Sequence, residues 1–141
     1  MTDARESSEI YVGKHVIRFE QPDAYSVALI GNVSGSDMVQ YNAEIARYAE
    51  GKRWLLVVAD MTRTTSFSPQ ARRETVHIPL AIRGVAMFGV SARLRIPLTI
   101  LYKAFSLVRR KISTPMAFVE TETEARAWVA ERRRELERGG A

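Results

Sequence analysis

Two continuous apolar runs limit the folds open to this chain more than any other feature. The first, "RWLLVVADM", covers residues 53–61, and the second, "GVAMFGV", covers residues 84–90. Neither run alternates apolar with polar residues, as a strand with one face in water would. Continuous apolar runs are typical of parallel strands that helices cover on both faces. The two runs therefore predict an α/β protein.

A hairpin and several helical patterns surround these runs. Residues 9–31 predict a β-hairpin, and "TPMAFVE" near the C-terminus predicts a further short strand. Four segments have helical apolar spacing, and each begins at a capping residue: Ser34 or Ser36, Ser68 before Pro69, Ser91, and Thr121 with Glu124. The predicted fold is an N-terminal β-hairpin followed by alternating strands and helices, with a mixed sheet of four or five strands flanked by about four helices.

The length of the chain, 141 residues, fits a single domain. We expect residues 1–8 to be a disordered N-terminus, residues 9–134 to form the domain and residues 135–141 to be a frayed tail. The polar N-terminus predicts no signal peptide, and the long apolar stretches are broken by Arg, Lys or Pro, which predicts no membrane-spanning helix. We therefore expect a cytoplasmic protein.

The residue types that carry most enzyme chemistry are sparse. The chain has no cysteine, which excludes disulfides, thiolate metal sites and a cysteine nucleophile. The two histidines, His15 and His77, do not share a metal-ligand spacing, and His77 is expected to be a half-buried ring next to Ile78 and Pro79. No glycine-rich phosphate loop is present. We expect no catalytic residue, no metal and no cofactor.

Residues 91–112, "SARLRIPLTILYKAFSLVRRKI", carry six cations and no acid, whereas residues 1–90 hold ten Lys or Arg and ten Asp or Glu. If this segment is a helix, one face carries the apolar residues that pack on the sheet: Leu94, Leu98, Leu101, Phe105, Val108 and Ile112. The opposite face places Ile96, Ile100 and Leu107 within about 60° of Lys103 and Arg110. Three aliphatic side chains among cations are unusual on the outer face of such a helix.

Three interpretations of this outer face stay open. It can pack on a neighbouring helix or on a second copy in a homodimer. It can meet an anionic membrane surface or amphiphile, with aliphatic side chains at the acyl boundary and cations at the head groups. Alternatively, the helix can move and open a pocket for a small lipophilic ligand. The candidate ligand-binding or membrane-binding residues are Arg93, Arg95, Ile96, Leu98, Ile100, Leu101, Lys103, Phe105, Leu107 and Arg110.

Nucleic acid is a poorer candidate for the partner of this segment. Its aromatic residues, Tyr102 and Phe105, do not alternate with the cations as base-stacking platforms would, and Phe105 falls on the predicted core face. A basic helix without such platforms favours an amphiphile, a membrane or a protein over nucleic acid.

Four motifs, taken in their order along the chain, resemble a known family. They are "GNVSGSDM", "RWLLVVADM", "IRGVAMFGVSARLR" and "AFVETETEARAWVAERR". Together they resemble the SpoIIAA-like branch of the STAS domains, which is related to the SEC14 lipid-transfer fold, over roughly residues 10–134. The resemblance implies a helix-flanked sheet of four or five strands and a binding or regulatory module rather than an enzyme. The SEC14-like relatives imply a small lipophilic ligand or membrane contact.

The same resemblance implies a second function, because some STAS proteins switch partners when a serine after the central strand is phosphorylated. Ser66 and Ser68 occupy roughly that position here. The local sequence, "SFSPQARR", lacks the acidic residue before the serine and the glycine after it, and Ser68 is also a helix N-cap candidate. Arg72 and Arg73, with Arg63, are candidates for an anion site beside this helix. Partner switching with a protein partner is therefore the alternative to ligand or membrane binding.

Overall fold

The computed structural model describes residues 9–108 and 114–139. The predicted disordered N-terminus, residues 1–8, lies outside these ranges. The described strands are β1 (Glu9–Val12), β2 (His15–Glu20), β3 (Ala24–Ala28), β4 (Gly31–Val33), β5 (Leu55–Asp60), β6 (Thr64–Phe67), β7 (Ile82–Phe88) and β8 (Met116–Val119). The described helices are α1 (Gly35–Ala49), α2 (Pro69–Glu74), α3 (Ala92–Val108) and α4 (Glu122–Gly139), with a 3-10 turn at Thr75–His77. The predicted α/β class is confirmed.

The main sheet has six strands in the order β1-β2-β3-β5-β7-β8. Strands β1, β2 and β3 pair antiparallel, and β3, β5, β7 and β8 pair parallel, so the sheet is mixed as expected. The sheet contains one strand more than the upper expectation of five. The extra strand arises because the chain reverses twice in the predicted hairpin region, first at Gly13 and again near Pro22. The N-terminal hairpin is thus a three-stranded meander.

The structure contains a small second sheet that the sequence did not predict. Strands β4 and β6 pair in parallel, with Val33 opposite Phe67. Residues 62–68 are mostly polar and show no clear apolar alternation, so the sequence gives no strand signal there. Each strand is only three or four residues long. Their pairing depends on two segments that are distant in sequence, so local pattern could not predict it.

Strand β5 is buried on both faces, as its continuous apolar run predicted. Leu55 and Val57 belong to a core that includes Ile45 of α1 and Leu94 of α3. Leu56 and its neighbour Val58 belong to a second core with Ala125, Val129 and Leu136 of α4. Helices α1 and α3 therefore cover one face of the sheet, and α4 covers the other.

Helix α2 is short because of Pro79. The Oγ of Ser68 accepts a hydrogen bond from the Ala71 N–H at 3.1 Å, which confirms the predicted N-cap. A residue that precedes proline is disfavoured in the helical region, and Ile78 is extended, with φ −62° and ψ 151°. The chain therefore leaves the helix at Glu74 and makes only a 3-10 turn before Pro79. His77, expected to be half-buried, is instead exposed on this turn.

Helix α4 continues to Gly139, past residue 135, where the expected tail begins. The reason is apolar burial near its end, since Leu136 is only 2% exposed. The helix also approaches the sheet closely at Gly84. A Cβ atom there would lie 3.0 Å from Cγ of Arg132 and 3.1 Å from Cδ2 of Leu56.

Candidate functional site

The outer face of helix α3 carries three exposed aliphatic side chains, which we call the outer stripe. Ile96, Ile100 and Leu107 are 69%, 63% and 73% exposed. Spacings of four and seven residues keep them on one side of a helix. Lys103 lies between them in the sequence, on the same side, and is also exposed. The prediction that these aliphatic residues face away from the core is confirmed.

The inner face of α3 holds the helix to the sheet through few side chains. Leu94 and Leu98 are 6% and 8% exposed, and Leu101 is half-buried. The side chain of Phe105 and the whole of Arg110 lie outside the described part of the chain, so their assigned roles stay predictions.

The cations of α3 point in different directions. Cζ of Arg95 lies 5.5 Å from the ring centroid of Phe118 on strand β8. A guanidinium over an aromatic face is attracted by the ring quadrupole, so Arg95 helps to hold α3 against the edge of the sheet. Arg93 lines a different region, described next, whereas Lys103 is exposed beside the outer stripe.

A groove of about 210 Å³ lies between β6, α2 and the start of α3, and we call it the serine groove. It brings together Ser66, Arg72 and Arg93, with Leu98 and Leu101 on its apolar side. From the sequence, Ser66 and Arg72 belong to one candidate site, whereas Arg93, Leu98 and Leu101 belong to another. The expected partner of Arg72, Arg63, lines another groove with Asp60 instead. The pairing of Arg72 with Arg93 was missed because only the packing of α3 beside α2 brings the two arginines together.

The two candidate serines differ in their surroundings. Ser66 is exposed, and its hydroxyl donates a hydrogen bond to Oδ1 of Asn32 at 2.7 Å. Ser68 is half-buried, and its hydroxyl oxygen is already used to cap helix α2. Ser66 is therefore the more accessible of the two hydroxyl groups.

Behind α3, a second opening of about 110 Å³ lies between the helices and the sheet, and we call it the apolar pocket. Leu98 and Leu101 also line this pocket. So do Tyr25 of β3 and Tyr41 of α1, whose hydroxyl groups are hydrogen-bonded to each other. No local spacing predicts this pair, because it requires β3 and α1 to pack together.

Two kinds of site are not found in the described residues. No group of three or more His, Asp or Glu side chains within residues 9–108 and 114–139 is arranged to hold a metal ion. Nor does any helix in these ranges combine the length and apolarity that crossing a bilayer requires.

Comparison with known proteins rests on structure rather than sequence. Neither the known protein-family models nor the curated proteins give a match to the sequence. One similar solved structure is an uncharacterized protein of the DUF3478 family with a SpoIIAA-like fold from Shewanella loihica PV-4. It has 16% identity and a TM-score of 0.58, with 80% of this chain and 90% of that chain covered.

A second similar structure is the anti-sigma factor antagonist SpoIIAA in its unphosphorylated form. The identity is 12% and the TM-score 0.57, over 81% of this chain and 96% of that chain. Both likenesses extend over most of each chain. The resemblance inferred from the four sequence motifs is thus confirmed at the level of the fold: this chain has a SpoIIAA-like fold.

Proposed function

We propose that this protein is a STAS-type binding module that docks on an anionic lipid surface through the outer stripe of helix α3. The observation that carries the proposal is the exposure of Ile96, Ile100 and Leu107, at 69%, 63% and 73%, on one side of one helix. Single exposed aliphatic residues are ordinary, but three aligned on a helix indicate an interaction surface.

The charge around the stripe favours an anionic partner. Residues 75–119 contain seven Lys or Arg and no Asp or Glu. Two copies of this helix would bring net positive charge together, which opposes a homodimer through this face. An anionic membrane instead offers acyl chains to the aliphatic residues and head groups to Lys103.

The test is vesicle binding by a double variant, Ile100→Ser with Leu107→Ser. Because two aliphatic side chains are lost from the acyl boundary, we expect binding to phosphatidylcholine–phosphatidylglycerol vesicles to weaken about 30-fold. Both residues are exposed, so the unfolding transition should stay unchanged. The measurement is co-sedimentation with vesicles, together with thermal unfolding followed by circular dichroism.

The matched control replaces two exposed aliphatic residues elsewhere, Val39→Ser with Leu80→Ser, which are 49% and 62% exposed. This control should bind vesicles as the unmodified protein does, and binding should weaken as salt rises. Equal binding by both double variants would contradict the proposal, as would equal binding to vesicles of phosphatidylcholine alone. If the unmodified protein binds no vesicles but captures an acidic amphipathic peptide that the Ile100→Ser, Leu107→Ser variant fails to capture, the stripe would be assigned to a protein partner.

A second function, phosphorylation-controlled partner switching, is favoured by one specific observation. The exposed Ser66 shares the serine groove with Arg72 and Arg93. A phosphate on Ser66 would add negative charge and acceptor oxygens beside two guanidinium groups, which form strong charge-assisted hydrogen bonds. The fold likeness to an anti-sigma factor antagonist is consistent with this alternative.

This alternative predicts one phosphate on Ser66 in protein isolated from its own cells. Intact-mass measurement followed by peptide sequencing identifies the modified residue. Phosphate on Ser66 and none on Ser68 is expected, because the Ser68 hydroxyl caps α2. If Ser66 carried no phosphate under any growth condition tested, the assignment of a phosphorylation switch to this groove would be wrong.

A further inference from the structure

The apolar pocket has an unusual composition. The chain contains five methionines. Four of them, Met38, Met61, Met87 and Met116, lie in the described ranges, and all four line this one pocket. Methionine side chains are flexible and polarisable, adapt to the shape of what they contact and interact favourably with aromatic rings. A pocket wall of this kind suits a ligand more than it suits a rigid core.

The size of the pocket fits a single ring. Its volume is about 110 Å³. A cavity of about 150 Å³ with apolar walls, engineered in another protein, holds benzene. Since methionine side chains can turn aside, the pocket can accept a molecule of that size.

The pocket opens between the 3-10 turn and helix α3. The lining residues on the sheet, such as Val57 and Ala59, are buried, whereas Ile78, Leu101 and Tyr102 are half-buried. The short helix α2 explains this opening, because the chain leaves the helix before Pro79 and covers less of the sheet there. A ligand could therefore enter without unfolding the core.

Among the hydroxyl groups of the lining residues, those of Tyr25 and Tyr41 form a pair, whereas the Thr75 hydroxyl donates to the Ala71 carbonyl oxygen at 3.0 Å. The two hydroxyl groups share one hydrogen bond, which uses one of their two protons. Among the described residues, these two hydroxyl groups make no other hydrogen bond. Burial raises the pKa of Tyr41 to about 12 and that of Tyr25 well above its ordinary value, so both groups stay protonated at neutral pH. A buried hydroxyl proton without an acceptor costs free energy that a ligand oxygen could recover.

We infer that the apolar pocket binds a small, uncharged, single-ring molecule with one hydroxyl or carbonyl oxygen, held at the Tyr25–Tyr41 pair. The lining residues that the structure describes include no Lys, Arg, His, Asp or Glu, so a charged ligand would lose its hydration without gaining a counter-charge. The inference does not depend on membrane docking, since the outer stripe lies on the opposite side of α3.

The experiment uses protein labelled with carbon-13 in its methionine methyl groups, with phenol, benzene and benzoate as probes. We expect phenol to shift the signals of Met38, Met61, Met87 and Met116 saturably and to leave Met1 unchanged. Phenol should bind about fivefold more tightly than benzene because of one added hydrogen bond, and benzoate should cause no shift.

Two variants test the assigned contacts. Tyr25→Phe combined with Tyr41→Phe removes both hydroxyl groups, so neither is left unpaired, and phenol should then bind no better than benzene. Tyr11→Phe, at a 63% exposed tyrosine, is the control that should keep the preference for phenol. Ala59→Leu places a larger side chain in the pocket and should abolish the methyl shifts. The inference is overturned if phenol shifts none of the four signals, if benzoate matches phenol, or if the double variant still prefers phenol.

Discussion

Replacing His15 with alanine is expected to lower the free energy of unfolding by about 3 kcal/mol. The ring is only 2% exposed. Its Nδ1 accepts a hydrogen bond from the Ile30 N–H at 2.9 Å, and its Nε2 lies 3.0 Å from Oδ2 of Asp37. Because Nδ1 is an acceptor, we assign the proton to Nε2, which donates to the carboxylate. The ring thus joins β2, the residue before β4 and helix α1. Its loss leaves a cavity and an Ile30 N–H without its partner, and it removes one of the hydrogen bonds to Asp37.

The measurement is urea unfolding followed by far-ultraviolet circular dichroism. The control residue is His77, which is exposed on the 3-10 turn. His77→Ala should change the free energy of unfolding by no more than about 0.5 kcal/mol. If the two alanine variants lost the same stability, the buried ring would not have the role assigned to it.

The His15–Asp37 pair also predicts a pH dependence. Burial would raise the pKa of Asp37, but hydrogen bonds from His15 and from the Ser34 backbone and hydroxyl groups outweigh it, so the pKa lies below the usual 3.8. The ionised carboxylate therefore stabilises the fold above pH 3.8, and this contribution is lost as the pH falls through the folded-state pKa. In Asp37→Asn, the free energy of unfolding should fall less steeply with acidification in that window than in the unmodified protein. Parallel curves for the two proteins would disprove the link.

Replacing Asp23 with alanine is the second large expected loss, about 2–3 kcal/mol. The carboxylate, with 14% of its side chain exposed, accepts hydrogen bonds from Nε and Nη2 of Arg133 at 2.9 and 2.8 Å. It also accepts one from Nε1 of Trp54 at 2.9 Å. These contacts join the beginnings of β3 and β5 to helix α4. Since the Arg133 side chain is 33% exposed, water can partly replace the lost partner, and the expected cost lies below that of a fully buried ion pair.

The control for Asp23→Ala is an ion pair on the exposed side of α4. Oε1 of Glu131 lies 2.7 Å from Nη2 of Arg134, and the two side chains are 52% and 58% exposed. Glu131→Ala should cost much less stability than Asp23→Ala, because water solvates the separated charges. The measurement is urea unfolding of both variants. If the two substitutions lowered the free energy of unfolding equally, the contacts of Asp23 would not hold α4 to the sheet.

The local sequence pattern correctly predicted the features that depend on one contiguous segment. The continuous apolar run of β5 predicted burial on both faces, and the capping residues Ser34, Ser68 and Ser91 predicted where three helices begin. The capping box of Thr121 and Glu124 did the same for α4, where the Glu124 N–H donates to the Thr121 hydroxyl at 3.2 Å. These patterns are reliable because a helix cap forms its hydrogen bonds within a few residues. A strand buried on both faces likewise shows this burial in its own continuous run of apolar residues.

Features that join distant segments could not be predicted in this way. The serine groove needs Arg93 of α3 beside Arg72 of α2, and the apolar pocket needs Tyr25 of β3 against Tyr41 of α1. The burial of His15 likewise depends on helix α1, whose Asp37 contacts the ring from a segment distant in the sequence.

The sequence alone determined the α/β class, most element starts and the exposed aliphatic face of α3, because backbone hydrogen bonding and side-chain periodicity are properties of contiguous residues. Only the tertiary structure decided which histidine is buried, which arginines share a groove and where the methionines meet. Those outcomes depend on the packing of whole helices against the sheet, which brings together residues that no local spacing connects.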